Sequence, residues 1–189
     1  MKKTVLTFGL IGGAIMAAMM FATLPFMDKI GFDKGEIVGY TTMILAFMLV
    51  FFGIRSYREN VSGGQITFGR AFAVGILITV VAGVCYVVAW EIIYFKFMPD
   101  FVDKYASYAI EKVRASGASQ QVIDAKLEQM QSFKAMYDNP FINAGITFFE
   151  PFPIGLIVTL ISAALLRKKP LAAARDEDRP AQLQVQEEN

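Results

Sequence analysis

Apolar and polar residues follow one another along this chain in long blocks rather than in short periods. Four apolar blocks stand out, at about residues 4–26, 37–54, 68–95 and 141–166. The first two contain no charged residue, the third contains Arg70 and Glu91, and the fourth contains Glu150 alone. A helix needs about 18–20 apolar residues to cross the hydrocarbon core of a bilayer, so each block predicts a membrane span. Helix is the expected form, because backbone groups in lipid have to be satisfied within their own segment.

The polar stretches between the blocks predict the connections. Residues 28–36 read as a short charged turn, with Asp28, Lys29, Asp33, Lys34 and Glu36 around Gly31 and Gly35. Arg55, Arg58 and Glu59 end the second block, and Val61-Ser62-Gly63-Gly64-Gln65 has the composition of a linker. In the long polar segment 98–139, Phe101, Tyr105, Tyr108, Ala109 and Val113 recur at helical spacing. Ile123, Leu127, Met130, Phe133 and Tyr137 then do the same. Ser116-Gly117-Ala118-Ser119 separates the two patterns, and Ser119 is a natural N-cap for the second. The expectation is an extramembrane amphipathic helical hairpin whose apolar faces pack together, lie on the membrane or dock on the mouth of the bundle. Over residues 96–139 six basic residues balance six acidic ones, which argues against attraction to anionic lipid. Residues 170–189 hold charge, Ala, Gln and Pro with little to build a core, so a disordered cytoplasmic tail is expected there. The predicted fold is therefore all-α: an integral membrane four-helix bundle over residues 1–169, with the hairpin between spans 3 and 4.

Composition narrows the chemistry. The chain has 189 residues, 55% of them hydrophobic and 13% aromatic, and a net charge of +1. That balance gives no electrostatic basis for binding nucleic acid. Histidine is absent, removing the commonest general base and metal ligand. The single cysteine, Cys85, lies inside an apolar block, cannot close an intramolecular disulfide, and reads as a buried small hydrophobe. Zinc, thiol and Ser/His chemistry are all disfavoured, so no catalytic, cofactor-binding or metal-ligating residue is expected and the protein is not read as an enzyme. Gly63-Gly64 is a linker rather than a phosphate loop, since no Lys-Ser follows it.

Lysines and arginines set the orientation. One side carries two at the N-terminus, three in the second loop (Arg55, Arg58, Arg70) and five in the tail; the other carries two in the first loop and six, spread out, in the hairpin. Those close to span ends decide, which puts both termini in the cytoplasm and the hairpin outside. The first block, after Met1-Lys2-Lys3, is too long for a signal-peptide core and is expected to remain as a span. Gly9, Gly13 and Ala17 in the first block and Gly75, Thr79 and Gly83 in the third recur every four residues. Such small-residue stripes let helices approach closely, although glycine is also simply frequent in membrane helices.

Two acids carry the candidate chemistry. Glu150 precedes Pro151, Phe152 and Pro153 in a block that is otherwise apolar. If 141–166 is one helix, Pro151 and Pro153 are helix-break positions. They free the carbonyls of Thr147 and Phe149 beside a carboxylate, an arrangement able to hold a cation or a proton. If instead the helix starts at Pro151, Glu150 is an N-terminal cap stabilised by the dipole. Glu91 is either a second functional acid or an interfacial residue among Trp90, Tyr94, Phe95 and Phe97, meeting Lys96 or a hairpin lysine. Arg55, Arg58 and Arg70 are candidate contacts for lipid headgroups, and equally what the positive-inside rule predicts.

Three segments resemble the bacterial membrane protein family known as domain of unknown function 4199. They are Thr67-Phe68-Gly69-Arg70-Ala71-Phe72-Ala73-Val74-Gly75, then Glu150-Pro151-Phe152-Pro153-Ile154-Gly155, then Leu165-Leu166-Arg167-Lys168-Lys169. The resemblance covers about residues 4–169 and implies a four-span inner-membrane protein of unassigned activity, with no catalytic residue to carry over. The leading expectation is a non-enzymatic interaction, assembly or envelope-associated protein, with the lipid bilayer and another membrane protein or a second copy as partners. The alternative is a small oligomeric transport or ion-coupled protein using Glu150, with or without Glu91.

Overall fold

The computed structural model describes residues 1–168; the tail expected over 170–189 lies outside the described residues. In chain order they form α1 (Lys2–Thr23), a 3-10 turn (Leu24–Phe26), α2 (Met27–Asn60) and α3 (Phe68–Ile92), which continues into a π turn (Ile93–Phe97). There follow α4 (Phe101–Ala115), α5 (Gln120–Tyr137), α6 (Pro140–Phe149) and α7 (Phe152–Leu166). Among the described residues the one extended pairing is an isolated bridge between Ile66 and Lys168.

Three continuous helical runs are long and apolar enough to cross a membrane: Lys2–Asn60, Phe68–Phe97 and Pro140–Leu166. The first, 59 residues long, doubles back on itself. Gly12 faces Ala46 and Leu49 while Gly53 faces Phe8, so α1 and α2 run antiparallel. This corrects the reading of 28–36 as a charged turn. Those residues are helical apart from Gly31, whose φ of 70° and ψ of 167° concentrate the break. Glycine alone adopts that conformation without strain, so the polar residues around it can stay in helix.

α3 is the central element, packing on α1, α2, α6 and α7. Gly9 and Gly13 lie against Val81 and Cys85, and a Cβ at either would collide with them, so α1 and α3 run parallel. Gly75 meets Thr159 and Gly155 meets Thr79, so α3 and α7 run antiparallel. Both four-residue stripes are thus helix contacts within one chain. The core between these helices includes Met16, Phe47, Val50, Ile54, Val74 and Ile78, together with the buried polar residues Thr79, Thr159 and Ser162. The outward faces are apolar instead, with Leu10, Leu45, Val88, Ile161 and Leu165 exposed.

One end is tied by Arg58, whose guanidinium donates to the Leu166 carbonyl (3.3 Å) at the negative end of the α7 dipole, and by the Ile66–Lys168 bridge beside it. Thr67 caps α3, its hydroxyl accepting from the Arg70 N–H. At the opposite end the α4–α5 hairpin turns at Gly117 (φ 76°) and docks on the helices. Phe101 packs edge-on to Trp90, Tyr137 packs edge-on to Tyr94, and Phe32 of α2 packs against Phe101, Tyr105 and Tyr108. Ser119 occupies the N-cap of α5, but its side chain makes no capping hydrogen bond.

Candidate functional site

The third helical run starts at Asn139, whose side chain accepts from the Phe141 and Ile142 N–H groups, with Pro140 in the first turn. Neither sequence reading of Glu150 is met in full. Helix is present before it, ends at Phe149, and restarts at Phe152, with Pro151 as the N-cap of α7. Pro151 and Pro153 lack the N–H groups that would bond back to Thr147 and Phe149, which localises the interruption. Glu150 is therefore the C-cap of α6, at the junction between the two helices of the third run.

A polar seam runs along α3 and meets the third helical run at this junction. Deep in the core the Thr79 hydroxyl contacts that of Thr159 (3.2 Å) and the Gly155 carbonyl (3.4 Å). Two turns further on, the Tyr86 hydroxyl donates to Glu150 Oε2 (2.9 Å). Trp90 Nε1 then donates to the Tyr137 hydroxyl (2.8 Å), and the Tyr94 hydroxyl to Asp138 Oδ1 (2.7 Å). Asn143, fully buried, donates to the Tyr137 carbonyl and accepts from Thr147, locking α6 to the end of α5. Each of these polar side chains thus has a partner, as a low-dielectric site requires.

Beside the seam, one stretch of α2 faces open space. A Cβ added at Gly35 or Gly39 would meet nothing within 4 Å. The space left is an open cavity of about 800 Å³ lined by α1, α2, α3, α6 and the hairpin. Glu150, Tyr86, Tyr40 and Glu36 line its polar part, while Met19, Met20, Met27, Trp90 and Tyr105 supply apolar wall.

At the rim, Lys112 of α4 donates to Asp33 Oδ1 (3.0 Å) and to the Tyr108 hydroxyl (3.2 Å). Its ammonium also sits 5.5 Å from the Tyr108 ring centroid. A hydrogen bond from Tyr108 and then the Lys112 ammonium hold the Asp33 carboxyl below its ordinary value of 3.8, and Asp33 in turn raises Lys112. The pair is exposed, so it orients the hairpin more than it stabilises it.

The remaining sequence candidates lie elsewhere. Glu91 is neither bonded to Glu150 nor part of the cavity lining, and it meets none of the lysines expected for it. Its Oε1 is shut from solvent with no hydrogen-bond partner. Arg55 and Arg58 both bind Glu59 (2.9 and 3.2 Å), and Arg58 also reaches Leu166. Arg70 is exposed and borders a shallow cleft with Tyr57, Gln65 and Thr67. Among the described residues no three carboxylate or thiol groups gather as a metal site.

Tyr86, Tyr40, Glu36 and Asn143 were not singled out from the sequence. For Asn143 and Tyr86 a signal was present: Asn143, Thr147 and Glu150 at spacings of four and three, and Tyr86, Trp90 and Tyr94 at four. Each marks one polar face on a helix that is otherwise apolar.

The chain belongs to the family described as protein of unknown function (DUF4199), which matches it over residues 7–168. Nothing among curated proteins or solved structures matches it.

Proposed function

We propose that this family member is a four-span protein of the bacterial inner membrane that binds a small molecule in the cavity beneath its outer hairpin, without catalysing a reaction. Four spans follow if the doubled run Lys2–Asn60 crosses twice, at about 4–26 and 37–54, and the other two runs cross once each. An interior richer in hydroxyls and amides than the apolar exterior suits lipid as the surrounding solvent. The basic residues near span ends favour cytoplasmic termini and an outward hairpin.

The observation that carries the binding reading is the cavity itself. Its volume of about 800 Å³ lies within the range of small-molecule sites, and its walls are apolar and aromatic with a few convergent polar groups. Assembly through a protein partner has less support. The small-residue stripes of α1 and α3 are covered within the chain, and so are Phe101, Phe133 and Tyr137 of the hairpin. Ion or proton coupling at Glu150 is the second reading, favoured by the interrupted helix beside a carboxylate.

Native mass spectrometry on protein released from lipid nanodiscs tests the binding reading. Wild type is expected to carry a bound small molecule, and Gly39→Phe, which projects a ring into the open space, is expected to lose it while staying folded. Wild-type protein free of any adduct, with Gly39→Phe indistinguishable from it, would refute this reading.

A further inference from the structure

Resting on the cavity reading, we infer that the ligand is an organic cation with an apolar body, its charged group placed between Glu36 and Glu150 and its body along the methionine and aromatic wall. Charge is the first argument. Asp33, Glu59, Asp100 and Asp103 each have a lysine or arginine within ion-pair distance. Of the carboxylates lining the cavity Asp33 is paired, whereas Glu36 and Glu150 have no such partner among the described residues. Glu150 uses Oε2 for Tyr86, and its other oxygen takes part in no hydrogen bond with the described residues. Two carboxylates facing one space are relieved by a cation between them or by a shared proton, and a space this large accommodates more than a proton.

The walls are the second argument. Tyr40, Tyr86, Trp90 and Tyr105 line the same cavity, and aromatic walls beside carboxylates are the surroundings in which alkylated ammonium groups are recognised. The protein provides a related example at the rim, where the Lys112 ammonium is held by one carboxylate, Asp33, and the hydroxyl of one tyrosine, Tyr108. Of the other lysines lining the cavity, Lys126 reaches Gln129 rather than an acid, leaving the inner carboxylates available. The methionines lining the same cavity are flexible and polarisable, and accommodate apolar bodies of differing shape.

A set of chains with equal length and different charge tests this class. Octyltrimethylammonium, octanol and octanoate are titrated calorimetrically into nanodisc-embedded full-length protein, with empty nanodiscs as the blank. The permanently charged octyltrimethylammonium should bind wild type at one site per chain and bind best of the three. Glu150→Gln, which keeps an acceptor for Tyr86, should weaken it by roughly tenfold or more, and Glu36→Gln should weaken it as well. Octanol or octanoate binding as tightly as the cation, with Glu150→Gln without effect, would overturn the cation while leaving the cavity reading in place. If none of the three binds above the empty-nanodisc blank, the cation is overturned, and the adduct comparison of wild type with Gly39→Phe decides the cavity reading separately.

Discussion

At the scale of single residues, the Glu150–Tyr86 pair shows what one chain of letters reveals. Glu150 is conspicuous because a charge in an apolar block is costly and needs a reason. Tyr86 is not, since tyrosines are ordinary in such blocks, and the two meet across 64 residues of sequence. Asp33 and Lys112 are the same kind of surprise, 79 residues apart. Their pairing makes a pH prediction whose sign is set by the shift. Asp33 has a folded value below its ordinary 3.8, so its contribution is complete above that value and is lost as pH falls through the lower, folded one. Lys112 is raised, so its contribution is complete below its ordinary 10.5 and is lost only as pH rises through the folded value. Hydrogen exchange of α4 should therefore be constant around neutrality and quicken, after correction for intrinsic rates, once pH drops below that of the paired Asp33. Asp33→Asn should already show the faster exchange at neutral pH. An identical pH profile for wild type and Asp33→Asn would mean that the pair does not hold the hairpin.

At the scale of elements, glycine spacing illustrates the limit of pattern reading. Gly9 and Gly13, Gly75 with Thr79 and Gly83, and Gly31, Gly35 and Gly39 all repeat every four residues. The first set presses on Val81 and Cys85, and the second on Thr159, Gly155 and Phe148. Gly35 and Gly39 touch nothing. The resulting prediction separates them. Gly13→Leu should destabilise the protein by about 1–3 kcal/mol through overpacking at the α1–α3 contact, whereas Gly35→Leu should change stability little. Equilibrium unfolding of the detergent-purified variants reads both, and equal losses would show that the outer half of α2 is packed after all. The hairpin was legible as two amphipathic helices because its apolar positions recur at three and four. Where its faces go was decided by Phe32, Trp90 and Tyr94, which lie in other elements.

At the scale of the whole molecule, the direction of insertion is the main prediction. In a Cys85→Ala background, single cysteines placed at Gln121 in the hairpin and at Ser62 in the α2–α3 linker should respond oppositely to a membrane-impermeant maleimide. On intact spheroplasts Gln121→Cys should be labelled and Ser62→Cys protected until the membrane is opened. The reverse pattern would invert the proposed orientation, and labelling of both sites on intact spheroplasts would contradict an odd number of spans between them.

The sequence by itself determined the helical class and the positions of the apolar runs, because length, hydropathy and period are local properties and the solvent they imply acts on every residue alike. It also exposed Glu150, because a lone charge in an apolar run is visible without neighbours. Tertiary structure decided the rest. It concentrated the first reversal at Gly31, separated Glu91 from the cavity, and brought Glu36, Tyr40, Tyr86 and Glu150 around one space. Those outcomes depend on which faces of different helices meet. Packing between segments distant in the chain sets that, and no local spacing encodes it.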